Sequence, residues 1–396
     1  MSDSLKKQVV TYIDEHRQDL EDVLELMYNE PELGYQEHQA SQWLCGLLEK
    51  AGYEVQRGIG DLSTAFVGQL QGGRPGPRIA ILAEYDALPG IGHGCGHNLI
   101  GAASIGAALG LAPLMPGLAG EVLIVGSPAE EGAVDDAGGK VALLDQGIFE
   151  NVTAAMMVHP STRNALGGIS NARVALEITF HGRTAHAAGA PHEGINALDA
   201  AIQTFNGWNA LRQHVKPDVR IHGIITEGGQ APNIVPDLAR IRMYVRAQDS
   251  GYLKRIEEKV RKCAEGAALA TGAQVDFRYT ARPYDNMVNN EPLGRIFADN
   301  LGELGVDIEA AQGPSAGSTD MGNVSQVVPA IHPYLAIATP DINGHSREFG
   351  AATLTPKGRK AMLDAAKAMA LTTIDLLTDS DLVTQVQMAF AAQKES

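Results

Sequence analysis

Between Ala83 and Asn98 the chain reads Ala-Glu-Tyr-Asp-Ala-Leu-Pro-Gly-Ile-Gly-His-Gly-Cys-Gly-His-Asn. An aspartate, two histidines and a cysteine thus fall between Asp86 and His97, among glycines that let backbone segments approach closely. Cysteine, histidine and carboxylate are the ligand types of borderline divalent cations. Cys95 and His97 form a Cys-x-His pair just before a helical pattern, where a helix N-terminus and a bound cation would both favour thiolate. Three later apolar runs end on further donors: Glu130 and Glu131 after residues 121–126, His159 after 152–158, and His345 after 331–338. Ligands in open α/β sheets gather at the carboxyl ends of strands, so these donors are expected to converge. Glu130 and Glu131 are adjacent, and side chains of neighbouring residues leave an extended chain in opposite directions. One of them can then hold metal while the other takes a proton from water. One cysteine, three histidines and one glutamate suit two Zn²⁺ or Mn²⁺ ions, and Asp86 is placed to hold an imidazole in its ligating tautomer. On spacing alone, His93 could replace His97. The remaining histidines (His16, His38, His181, His192, His214, His222 and His332) read as surface or packing residues.

These donors need a framework, and the apolar pattern supplies one. Residues 5–51 read as helices with a break over 29–35, where Pro31 and Gly34 interrupt the period. Apolar runs at 78–83, 121–126 and 152–158 alternate with helix-like stretches, which predicts a mostly parallel sheet with helices on both faces. The helix over 99–111 is rich in glycine and alanine and must pack very closely. Near Arg173 the pattern changes to the strict alternation of a half-exposed antiparallel strand, at 174–180 and again at 239–246. Helices at 196–214 and 250–271 and a strand at 274–279 complete an inserted α+β block. The expected domains are residues 1–171 with 286–396, and 172–285 between them. A helix over 354–377 is expected to close the chain.

At 396 residues the chain exceeds what one compact core usually holds. With 44% hydrophobic and 20% charged residues it has the composition of an ordinary globular protein. A net charge of −16 argues against nucleic acid as a partner, since phosphate contacts need clustered Lys and Arg. No uninterrupted run of about 18 apolar residues is present, and the N-terminal segment lacks the apolar core of a signal peptide. No membrane partner and a cytoplasmic location are the expectations. Three cysteines cannot all pair; Cys45 and Cys263 sit in helical contexts as packing residues.

Taken together, Glu84-Tyr-Asp-Ala-Leu-Pro89, His93-Gly-Cys-Gly-His97, Ala129-Glu-Glu-Gly132, Val158-His-Pro160, Gly182-Arg-Thr-Ala-His-Ala187, Asn233-Ile-Val-Pro236 and Gly344-His-Ser346 resemble peptidase family M-twenty in its amidohydrolase branch. Asn98, following the ligand histidine, makes the likeness greatest to aminobenzoyl-glutamate hydrolase and dipeptidase-like members. The resemblance implies an α/β di-metal exopeptidase-like domain plus a lid that makes a homodimer or a higher oligomer. It implies Cys95, His97, Glu131, His159 and His345 as ligands, Glu130 as general base and then general acid, and Asp86 as orienter. It further implies that His186 reaches the partner subunit's site to steady the oxyanion, while Asn233 and the turn Gly317, Ser318 and Thr319 to Asp320 hold substrate. The expected activity is metal-dependent hydrolysis of a small-molecule amide: an N-acyl amino acid, an aminobenzoyl-glutamate-like compound or a dipeptide. One alternative is a metal-free hydrolase using Cys95 and His97, which leaves Glu131, His159 and His345 unused. The other is a catalytically silent binding protein.

Overall fold

A computed structural model describes residues 2–168, 170–309 and 317–395. The chain forms two compact units, one of Met1–Ile169, Met287–Gly313 and Asp320–Ser396, the other of Ser170–Asn286 and Pro314–Thr319. The first unit begins with helices α1 (Ser2–Glu15), α2 (Arg17–Asn29) and α3 (His38–Lys50). Strands β1 (Glu54–Ile59), β2 (Leu62–Gln71) and β3 (Arg74–Glu84) follow, then α4 (His97–Leu111), β4 (Ala119–Ser127), α5 (Gly139–Asp145), β5 (Ala154–Met156) and β6 (His159–Ser161). The second unit supplies β7 (Ala172–His181), α6 (Ala197–Leu211), β8 (Arg220–Glu227), β9 (Leu238–Ala247), α7 (Ser250–Thr271) and β10 (Gln274–Tyr284). The chain then returns to the first unit with α8 (Glu291–Glu303), α9 (Met321–Val327), β11 (Ala330–Ile331), β12 (Tyr334–Ala336), α10 (Arg347–Ala352), α11 (Pro356–Thr378) and α12 (Ser380–Glu395).

The main sheet of the first unit runs β1-β2-β4-β3-β5-β11. Its β4, β3, β5 and β11 are parallel, and β2 and β1 add an antiparallel edge. Register decides where the site lies. Glu84 at the end of β3 pairs with Ser127 at the end of β4, so the loops carrying Asp86 and Glu130-Glu131 start side by side. Beyond β5 and β11, the short strands β6 and β12 pair in parallel and set His159 opposite Tyr334. The expected single run over 331–338 is therefore two strands, because Pro333 cannot donate to a ladder. Helix α4 is buried at every residue, and its small side chains let α11, α2 and α1 come close. The stretch His97–Gly117 is long and apolar enough to cross a membrane, but most of it lies inside the core.

The second unit is a four-stranded antiparallel sheet, β10-β7-β9-β8. Along β9, Ala239, Ile241, Met243, Val245 and Ala247 are buried beneath α6 and α7, while the intervening residues face outward. The core centres on Trp208, wholly buried, whose indole N–H donates to the Val260 carbonyl at 3.2 Å. The sequence pattern missed β8 because it is largely exposed and carries no strict alternation. It likewise missed the β1–β2 hairpin and the final helix α12: the chain does not close on α11 but breaks at Asp379 and turns into α12, with the Asp379 carboxylate accepting from the Asp381 and Leu382 N–H groups.

Two glycines test this packing. A Cβ at Gly106 of α4 would lie 2.8 Å from Ala366 Cβ and 2.9 Å from Leu20 Cδ1, whereas a Cβ at Gly46 of α3 meets nothing within 4 Å. Gly106→Leu is expected to destabilise the chain by at least about 1–3 kcal/mol through overpacking. Gly46→Ala is expected to stabilise it by about 0.5–1 kcal/mol through helix propensity. Denaturant unfolding of the two variants against the parent checks both signs.

Candidate metal centre

The donors are brought together by a tight glycine turn. Gly96, at φ 80°, ends the turn and precedes α4; a Cβ there would sit 2.5 Å from Pro160 Cγ. A Cβ at Gly94 would sit 2.6 Å from Ile91 Cγ2 and 3.1 Å from the Ser346 carbonyl oxygen, and the His345 N–H donates to the Gly94 carbonyl at 2.9 Å. The turn holding Cys95 and His97 is thus pressed against both the His159 strand and the His345 loop. His345 itself adopts φ 59°, a left-handed conformation that a non-glycine residue rarely takes.

Donor atoms of Cys95, His97 and His159 lie within 4.8 Å of one another, and so do those of Cys95, Glu131 and His345. Cys95 belongs to both sets. Cys95 Sγ is 3.5 Å from His159 Nε2, and Glu131 Oε1 is 3.6 Å from His345 Nε2 and 3.9 Å from His97 Nε2. Hydrogen bonds orient the imidazoles for ligation. His97 Nδ1 donates to Asp86 Oδ1 at 2.8 Å, and His159 Nδ1 donates to the Pro160 carbonyl at 2.7 Å, so each Nε2 lone pair faces the cluster. His97 Nε2 and Glu131 Oε1 are buried without a hydrogen-bond partner. Buried polar atoms are almost always satisfied, and here a thiol, three imidazoles and a carboxylate surround the exceptions. The donor chemistry fits divalent cations.

Burial pulls the His97 imidazole down, but Asp86, Cys95 and Glu84 outweigh it and hold it well above its usual range, so a cation would have to displace a proton there. Burial, followed by the Glu131 charge, holds the Cys95 thiol above its usual range, and burial also raises the Glu131 carboxyl. Both would have to be anionic to hold a cation, so binding there would be coupled to proton release. The N-terminus of α4 does not by itself make a thiolate of Cys95, because desolvation outweighs it. Burial and the neighbouring His97 push His159 down to about 4, leaving it neutral as a ligand must be.

Glu130 and Glu131 do not part as an extended backbone would make them. Ala129 is left-handed at φ 51°, and one donor from each carboxylate lies within 4.8 Å of a His97 nitrogen. This turn is tied at two points. The Ala129 N–H donates to Glu37 Oε1 at 2.8 Å, and the Glu131 N–H donates to Asp86 Oδ2 at 2.9 Å. Glu37 is fully buried, and its other oxygen accepts from the Thr64 hydroxyl at 2.9 Å. On its far side Glu130 forms a second cluster with Glu84 and Asp320, and the Lys140 ammonium is bonded to the latter two. Burial, then Glu84, Glu131 and Asp320, hold the Glu130 carboxyl well above its usual range.

Among the described residues, no converging donor set includes His93. It is buried, and burial followed by His97 pushes it down to about 3. His332, read from sequence as a surface or packing residue, packs edge-on to His159 with ring centroids 5.6 Å apart, and Tyr334 lies against both rings. Glu37, Lys140 and His332 carried no motif signal; they are buried partners brought in from distant segments.

His186, Asn233, Gly317, Ser318 and Thr319 belong to the second unit. His186 is exposed, and its Nδ1 accepts from the N–H groups of Ala188 at 3.2 Å and Gly189 at 3.0 Å, which places its proton on Nε2. The exposed Asn233 accepts from the Ala187 N–H through its carbonyl at 3.0 Å, so the two residues share one local framework. The Gly317 carbonyl accepts from the Asn171 N–H at 2.8 Å, the Ser318 hydroxyl accepts from Arg246 at 3.1 Å, and Thr319 is buried.

Residues 171–271 match the family described as the peptidase dimerisation domain. Mouse Xaa-Arg dipeptidase is 38% identical over 98% of this chain and 92% of its own length. A polypeptide of the p-aminobenzoyl-glutamate hydrolase from Escherichia coli is 31% identical over 95% of this chain and 92% of its own. A dinuclear metal-binding peptidase of the M-twenty family from Bacillus subtilis shares the fold, with a TM-score of 0.69 and 23% identity, covering 92% of this chain and 99% of that one. The chain therefore belongs to the M-twenty peptidase family, in the branch of the dipeptidases and aminobenzoyl-glutamate hydrolases, and is a hydrolase of amide or peptide bonds that takes divalent metal ions.

Proposed function

We propose that Cys95, His97, Glu131, His159 and His345 would hold two divalent cations, Zn²⁺ or Mn²⁺, and that the chain hydrolyses a dipeptide or an N-acyl amino acid. The observation that carries this reading is Cys95 as the shared vertex of two donor triads, beside the unpartnered His97 Nε2 and Glu131 Oε1. When bound, the ions supply Lewis acidity for the scissile carbonyl and make water a nucleophile at neutral pH.

The chain's own residues divide the remaining work. Glu130 takes a proton from the attacking water and returns it to the leaving amine nitrogen, so that one carboxylate serves both steps and ends unchanged. Burial and the surrounding carboxylates raise its proton affinity, which strengthens it as the base. Asp86 keeps His97 in its ligating tautomer and anchors the Glu131 backbone. His186, with its proton held on Nε2, is a preorganised donor for the oxyanion in the partner subunit's site. Asn233 and the Gly317, Ser318 and Thr319 turn receive the substrate's carboxylate or amide. The match of residues 171–271 to a dimerisation domain supports a homodimer, and three unpaired cysteines support a reducing, cytoplasmic setting. The 38% identity to Xaa-Arg dipeptidase makes dipeptides ending in arginine the first substrates to try.

Glu130→Gln is expected to retain two metal ions per chain by elemental analysis while losing about 10²–10⁴-fold in kcat; hydrolysis at the parent rate would remove Glu130 from the base role. His186→Ala is expected to lose about 10²–10³-fold in kcat with metal content unchanged. Mixing His186→Ala with Glu130→Gln subunits, after dissociation and reassembly, is expected to restore turnover, because a mixed dimer then holds one site with both groups intact. An inactive mixture would place His186 in the site of its own chain.

A further inference from the structure

Glu84 ends β3 and is 1% exposed, and its two oxygens have different surroundings. Oε1 accepts from the Lys140 ammonium, which is itself wholly buried and also donates to Asp320 Oδ1 at 2.5 Å. Oε2 has no hydrogen-bond partner and lies 3.4 Å from His97 Nε2, which has none either. In the neutral form a ligand must take, His97 donates to Asp86 through Nδ1 and its Nε2 presents a lone pair, so once His97 ligates, two buried acceptors face each other. Such a juxtaposition is unfavourable in a dry interior unless something positive sits between the two atoms. The spacing matches that reading: two ligand atoms each about 2.1 Å from a tetrahedral Zn²⁺ are about 3.4 Å apart.

Building on the di-metal reading above, we propose that Glu84 is a further ligand of the cation held by His97, giving Oε2 to the metal while Lys140 retains Oε1. The buried Glu84–Lys140–Asp320 triad then has a purpose. Lys140 neutralises the carboxylates that meet there and fixes Glu84 as a one-oxygen ligand, with the Lys140 N–H to Asp320 Oδ2 bond at 2.9 Å locking α5 to the start of α9. An added oxygen donor hardens a site otherwise built of sulfur and nitrogen, and carboxylates suit Mn²⁺ better than thiolate does. Glu84 is therefore a selectivity residue as well as a ligand.

The test is calorimetric titration of the metal-free chain with Mn²⁺ and with Zn²⁺, comparing the parent, Glu84→Gln and Asp320→Asn, with circular dichroism as the check on folding. Glu84→Gln is expected to weaken one of the two sites at least tenfold, more for Mn²⁺ than for Zn²⁺. Asp320→Asn, which disturbs Lys140 from its other side, is expected to keep both sites. Parent-like binding by Glu84→Gln overturns the proposal, and so does an equal loss in both variants, which would assign the effect to the Lys140 pairing. A parent chain that binds no metal overturns the centre as a whole, whereas a parent with two ions and an indifferent Glu84→Gln overturns only this assignment. If Glu84→Gln does not fold, a crystal structure of the Mn²⁺-loaded parent decides: Glu84 Oε2 in direct contact with the ion supports the proposal, and a water or an empty gap between them overturns it.

Discussion

One carboxylate holds the two halves of the centre in register. Asp86 accepts from the His97 ring through Oδ1 and from the Glu131 backbone through Oδ2, and it is 1% exposed. A buried carboxylate with both oxygens engaged by donors is a rigid coupling. It joins the first residue of α4 to the loop after β4, two segments that the sheet alone would only bring near each other. Without it, His97 would lose its tautomer and its ring orientation, and the left-handed turn at Ala129 would lose one of its two ties.

Around that coupling the fold separates two kinds of charge. Toward the cluster, Cys95, His97, Glu131, His159 and His345 each bring a ligand atom. Behind it, Glu84 and Asp320 close on Lys140, an internal cation that the chain supplies for itself. Glu130 stands between, sharing one donor set with His97 and Glu131 and another with Glu84 and Asp320. Its high proton affinity follows first from burial and then from the carboxylates on both sides. Buried ion groups of this kind add little to stability on balance, so their place here is better understood as positioning.

Much of this arrangement could be read from the chain alone, and the boundary has physical causes. Strands buried on both faces betray themselves as continuous apolar runs, so β3, β4 and β5 were legible together with the donors that follow them. The alternating β7 and β9 were legible for the opposite reason. Exposed β8 has neither signature, and the final helix α12 follows a break that the apolar pattern of α11 conceals. In the site, residues inside dense motifs could be named, whereas Glu37, Lys140 and His332 gain their roles only through contacts with segments far away in sequence. The divergence expected of Glu130 and Glu131 assumed an extended backbone, and the left-handed Ala129 removed that assumption.

The central claim is that the two donor triads sharing Cys95 would hold two cations in a single site. Electron paramagnetic resonance of the chain loaded with Mn²⁺, read beside its metal content, tests that claim most directly. The account predicts two ions per chain with the spectrum of an exchange-coupled pair. Two ions giving the spectra of isolated Mn²⁺, or saturation at a single ion, would contradict it.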